Sequence, residues 1–174
     1  FTDITGPVPF YAVNTSLSVF LLWGVALLFV LCAVYADPRT TGRPVRMFYV
    51  SQALMFGWLG CDDRFKFHEW MGGNLGIADH YVLGVTALVE LGLLLGLGRS
   101  LLIGRPAWDL AFASAAFLAM FFVDAFLPEL LRLRLSVEDL SKTWAGLFFF
   151  LFAWDLLAGV IRSTNVRRAG MLVS

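Results

Sequence analysis

From Leu17 to Ala36 the chain runs twenty residues without a charge. At a rise of about 1.5 Å per residue, such a run makes about 30 Å of helix, the thickness of a bilayer's hydrocarbon core. No water is available there to satisfy backbone polar groups, so the segment crosses as a helix. Four further apolar segments follow: Met47 to about Phe65, Tyr81–Gly98, Ala107–Leu127 and Thr143–Ile161. Turn residues separate them, among them Asp37-Pro38, Gly42, Pro44, Gly72-Gly73, Gly104, Pro106 and Pro128. The expectation is a single integral membrane domain over residues 1–174, an all-α polytopic bundle of about five spans. Charged residues make up 15% of the chain, against about 25% in a soluble domain. Thirteen basic residues balance thirteen acidic ones with no basic stripe, which excludes nucleic acid as a partner.

The second segment is the unusual one. Its uncharged apolar run, Met47 to Gly60, has 14 residues and makes about 21 Å of helix. To cross, that helix must carry Asp62, Asp63 and Arg64 down to the membrane boundary. A four-span alternative makes the segment re-entrant. The next turns hold Lys66, His68, Glu69, Asp79 and His80, so both histidines of the protein lie here.

Orientation follows from the basic residues. Arg39, Arg43, Arg46, Arg99, Arg105, Arg162, Arg167 and Arg168 fall on one side, and Arg64, Lys66, Arg132, Arg134 and Lys142 on the other. The positive-inside rule then puts the N-terminus outside and the C-terminus in the cytoplasm. Trp58, Tyr81 and Trp144 would mark the outer interface, and Tyr35, Tyr49 and Trp108 the inner one. Leu130–Leu135, with its arginines in the headgroups, is expected along the outer surface. Cys32 and Cys61 fall near opposite faces, too far apart for a disulfide.

Three acids lie within spans: Glu90 and Asp155 near mid-depth, and Asp124 near the outer end of the fourth. A charge in lipid costs several kcal/mol, so each should face the bundle interior, a partner or water. Asp124 shares the level of Asp62, Asp63, His68 and His80, which predicts an outer-face cluster of carboxylates and imidazoles. In its plainest form Asp62, Lys66 and Glu69 make a salt-bridged helix end. A sharper reading is a transition-metal site built from Asp62, Asp63, His68, Glu69 and Asp124, a nitrogen and oxygen set suited to iron, zinc or manganese. His68 and His80 are also candidate ligands for haem or a chlorophyll-type pigment. Glu138 and Lys142, at i and i+4, open the last span with acids at its positive dipole end. The phenylalanines of the fourth and fifth spans, Phe112 to Phe152, read as packing and lipid contact, with a slot for a quinone, carotenoid or lipid tail as the alternative.

Gly92 and Gly96 form a G-x-x-x-G pair in the third span, a spacing that lets a second helix backbone approach. Packing within the monomer and contact with another subunit both satisfy it.

The segment 62–69, read as D-D-x-F-x-x-H-E, resembles a motif of uncharacterised bacterial polytopic membrane proteins. In them it follows the second span, an acid sits in the third, and E-D-x-x-K precedes the last. The matching residues are Asp62, Asp63, Phe65, His68, Glu69, Glu90, Glu138, Asp139 and Lys142. The resemblance implies a fold of about five helices and, with it, the bacterial inner membrane; it supplies no activity. Two functions are therefore expected: an accessory membrane subunit that docks on a larger complex through the Gly92/Gly96 face, or a membrane metalloenzyme or redox protein built on the outer cluster. A transporter is weaker, resting on Glu90 and Asp155.

Overall fold

The computed structural model describes the backbone of residues 11–37, 41–126 and 132–171, and the side chains of residues 15–37, 41–78, 81–123, 126 and 137–166. The described chain is helical, without strands: α1 (Tyr11–Tyr35), α2 (Arg43–Phe65), α3 (Phe67–Leu75), α4 (Asp79–Leu93), α5 (Arg105–Phe126) and α6 (Arg132–Met171). A wide π-helical turn, Leu94–Gly98, and a tight 3₁₀ turn, Arg99–Leu101, carry α4 towards α5.

Local chemistry sets most boundaries. Pro44 and Pro106 stand in the first turns of α2 and α5, where no amide donor is needed. Gly76 ends α3 in the left-handed conformation, and the Ile77 amide donates back to the Gly72 carbonyl at 3.0 Å. The break between α2 and α3 is different, because the left-handed residue there is Lys66 (φ 55°, ψ 44°). A non-glycine residue in that region costs about 1 kcal/mol and needs compensation from its surroundings.

Phe29 of α1 is the centre of the core. Its ring meets Phe48, Tyr49 and Phe56 of α2 and Phe152 of α6, with centroids 5.9–6.4 Å apart. Val25, Leu28, Cys32, Ala153, Leu156 and Leu157 pack around it, and Leu94 of the π-helical turn and Leu110 of α5 join the same core. Tyr49 is thus a buried core aromatic. Cys32 and Cys61 are free thiols. The phenylalanines of α5 and α6 stack on one another and on tryptophans, Trp108–Phe112–Phe148–Trp144, with centroids 5.3–6.4 Å apart.

Among the described residues four helical stretches are long and apolar enough to cross a membrane: Thr15–Tyr35, Tyr81–Leu101, Arg105–Val123 and Val137–Val166. These are the marks of an integral membrane protein. The second helix falls outside the set, because Arg46 near its start and Ser51 and Gln52 in its middle lower the hydropathy of the stretch between its charged ends. It nevertheless runs antiparallel along α1: Ser18, early in α1, meets Asp63 late in α2, while Phe29 meets Phe48 nearer the other end. The last helix is 40 residues long, well beyond the predicted 143–161. Its backbone is already helical at Arg132–Leu135, the segment expected as a separate surface stretch, because a helix satisfies its own hydrogen bonds in water and in lipid alike.

Candidate functional site

The end of α2 gathers the charged residues into two linked arrangements. In the first, Asp62 organises the helix break. Its carbonyl accepts the Lys66 amide at 2.7 Å, its Oδ1 accepts the His68 amide at 2.8 Å, and its Oδ2 accepts from His68 Nδ1 at 2.8 Å. One residue thereby closes α2 and satisfies an otherwise orphaned amide in the first turn of α3, which offsets the strain at Lys66. It also fixes the imidazole. An Nδ1–H given to a carboxylate makes Nε2 the basic atom of the ring. Trp58 stacks on Phe67 beside this turn, with centroids 5.5 Å apart.

In the second arrangement, Asp63 ties three helices together. Its Oδ1 accepts from Lys142 Nζ of α6 at 2.9 Å, and its Oδ2 accepts from Ser18 Oγ of α1. The Asp63 side chain is largely buried, and Ser18 is fully so. Glu138 and the buried Asp139 lie one turn before Lys142 on α6, so acids surround this lysine.

The break at Lys66 changes two sequence expectations. On one continuous helix Asp62, Lys66 and Glu69 share a face and His68 points away. With the chain redirected, the Asp62 side chain binds His68, while Lys66 pairs with Glu69 at 3.2 Å in an exposed bridge. Glu69 is therefore separated from the carboxylates it was grouped with. The side chains of His80 and Asp124, the remaining candidates for this cluster, lie outside the described residues. Among the described residues no group of three or more histidine, cysteine, aspartate or glutamate side chains is close enough to hold a metal.

The intramembrane acids have separate partners. Glu90 of α4 accepts from Gln52 Nε2 of α2 at 3.0 Å. Asp155 of α6 pairs with Arg105 at 3.1 Å, the first residue of α5, and Asp109 lies 3.9 Å from the same guanidinium. Asp155 is thus level with the first turns of α5.

Ser18, Gln52 and Asp109 were not singled out by sequence reasoning. Ser18 and Gln52 had a weak signal, as polar residues inside apolar runs, and Arg105–Asp109 had the i, i+4 spacing of an ion pair.

The glycines differ in the room around them. A Cβ at Gly98 would strike the Phe48 ring, and one at Gly60 the Trp23 indole, so these glycines serve packing inside the molecule. A Cβ at Gly84, Gly92 or Gly96 would meet nothing within 4 Å. These three sit on the side of α4 that also exposes Tyr81, Val85, Leu88 and Leu95, opposite Glu90.

A family model described as a domain of unknown function, DUF8692, matches residues 1–156. The chain belongs to the DUF8692 family. Neither a curated protein nor a solved structure matches it. The stretch matched by DUF8692 includes Ser18, Gln52, Asp62, Asp63, His68, Glu90, Lys142 and Asp155, and it stops inside α6.

Proposed function

We propose that this DUF8692 protein is a small subunit of a larger assembly in the bacterial inner membrane, meeting its partner through the glycine-bearing face of α4. The supporting observation is the open space over Gly84, Gly92 and Gly96. Glycine in a helix costs about 0.5–1 kcal/mol relative to alanine, and here no neighbour within the chain uses the room it leaves. A second membrane helix would use it, since small residues at this spacing let two backbones approach. The polar cluster of Asp62, Asp63, His68 and Lys142 then belongs to the outer end of a five-span subunit with its N-terminus outside and its C-terminus in the cytoplasm. Two things support that topology: the lysine and arginine asymmetry, and the antiparallel run of α2 along α1 from Ser18 to Phe29.

The test is Gly92→Ile combined with Gly96→Ile, isolated in native-lipid nanodiscs beside the wild type. The wild type is expected as a larger assembly by native mass spectrometry, and the variant as the single chain. The stability of the single chain, dissociated in detergent, should change little, by under about 0.5 kcal/mol, because within one chain the new side chains enter open space. A wild-type protein that is monomeric in native lipid, or a variant that stays assembled, would rule the reading out.

The bond between Asp62 and His68 favours a second reading, a membrane metalloenzyme or redox protein. Metal-bound imidazoles commonly donate their other N–H to a carboxylate, so Asp62 would orient His68 rather than bind the metal itself. Elemental analysis and an absorption spectrum of the purified protein decide this. Stoichiometric metal that is lost in His68→Ala supports it; its absence after incubation with zinc, iron or manganese sinks it.

A further inference from the structure

Gln52 is fully buried in the middle of α2. Its Nε2 donates to Glu90 Oε2, and its Oε1 is buried without a hydrogen-bond partner. Gln52 is the one polar partner of Glu90 among the described residues, and no cation among them reaches it. Lys66 pairs with Glu69, Arg105 with Asp155 and Lys142 with Asp63. The arginines of α2 lie at least six residues along the helix from Gln52, and Arg99 lies nine residues beyond Glu90.

An ionised Glu90 leaves this arrangement wrong on both sides. A carboxylate is acceptor-only, so it offers nothing to Gln52 Oε1, which stays an orphaned buried acceptor stripped of water. The lone charge in apolar surroundings adds a desolvation penalty of its own. One proton removes both faults. A carboxylic acid donates its O–H to Gln52 Oε1 while its carbonyl oxygen goes on accepting from Nε2, which closes a ring of two hydrogen bonds between acid and amide.

We propose that Gln52 and Glu90 form a proton-binding site between α2 and α4, in which the bound proton sits on Glu90 and is donated to Gln52 Oε1. The ligand is the proton itself. The site is separate from the charged end of α2, and it does not depend on whether α4 meets a partner.

The chemistry of such a carboxyl gives the test. Dicyclohexylcarbodiimide partitions into lipid and reacts with protonated acids. The carboxyl proton moves to one carbodiimide nitrogen while the carboxyl oxygen bonds to the central carbon; the O-acylisourea then rearranges to a stable N-acylurea, and nothing leaves. Wild-type protein in lipid nanodiscs at neutral pH is expected to carry this adduct on Glu90 by peptide mapping. A water-soluble carbodiimide should leave Glu90 unmodified. The infrared spectrum at neutral pH should contain the carbonyl band of a protonated acid, absent from the near-isosteric Glu90→Gln. In Gln52→Leu that band should move to higher frequency, as the O–H loses its amide acceptor. No adduct on Glu90, or no acid band separating wild type from Glu90→Gln, overturns the proposal. A band unmoved by Gln52→Leu overturns the pairing on which it stands.

Discussion

Lys142→Met is expected to destabilise the protein by about 3 kcal/mol, read as a fall in the unfolding midpoint in detergent or nanodiscs. Most of that magnitude is the cost of a buried charge left without its counter-ion. Asp63 is largely buried, and its oxygens are held by Lys142 and Ser18. Methionine preserves much of the apolar stem of the lysine but strands the Asp63 charge with a single hydroxyl, next to Glu138 and Asp139. Removing the second charge should therefore help: Asp63→Asn combined with Lys142→Met is expected to be more stable than Lys142→Met alone. That reversal is the signature of a coupled pair, and a double-mutant cycle measures it. A Lys142→Met protein within about 0.5 kcal/mol of wild type would show that the bridge does not hold α2 to α6.

Gly98→Ala should cost about 2 kcal/mol by the same measurement. Its new methyl would stand 2.6 Å from Phe48 Cε2 and 2.9 Å from Cδ2. The ring has nowhere to go, since Phe48 is fully buried and meets Phe29 edge-on with centroids 5.9 Å apart. Phe48→Leu combined with Gly98→Ala should recover part of the loss. Gly96→Ala, two residues earlier, is the control: in the single chain in detergent its methyl enters open space, so it should be neutral or stabilising by a few tenths of a kcal/mol. Gly60→Ala should lie between them, because the Trp23 indole it strikes is nearly half exposed and can swing outward. Equal losses at Gly96 and Gly98 would mean that helix propensity, and not close packing against Phe48, governs both sites.

The residue type of each polar group was plain in the sequence, but its partner was not. Asp62 and Glu69 looked like neighbours because they are two helical turns apart, yet the chain breaks between them at a lysine. No glycine, proline or asparagine marks that break. The i, i+4 spacing of Glu138 and Lys142 was legible, and Glu138 does lie near the lysine, but the bond from Lys142 to Asp63, 79 positions away, was not. The G-x-x-x-G spacing of Gly92 and Gly96 was visible but ambiguous, and open space over both now separates them from the packed Gly60 and Gly98.

By itself the sequence determined that this chain is helical and bound for a membrane, and where most of the apolar helices lie. Those properties follow from length and hydropathy, which act residue by residue along one segment. It also determined that several acids would need company, since the cost of a charge in lipid does not depend on which neighbour relieves it. Only the tertiary structure decided who the neighbours are. Asp62 with His68, Asp63 with Lys142 and Ser18, Glu90 with Gln52, and Asp155 with Arg105 all depend on the turn at Lys66 or on the register of one helix against another. That register is set by how Phe29, Phe48, Phe56 and Phe152 fit together, a property of side-chain shape in three dimensions that no period along the chain encodes.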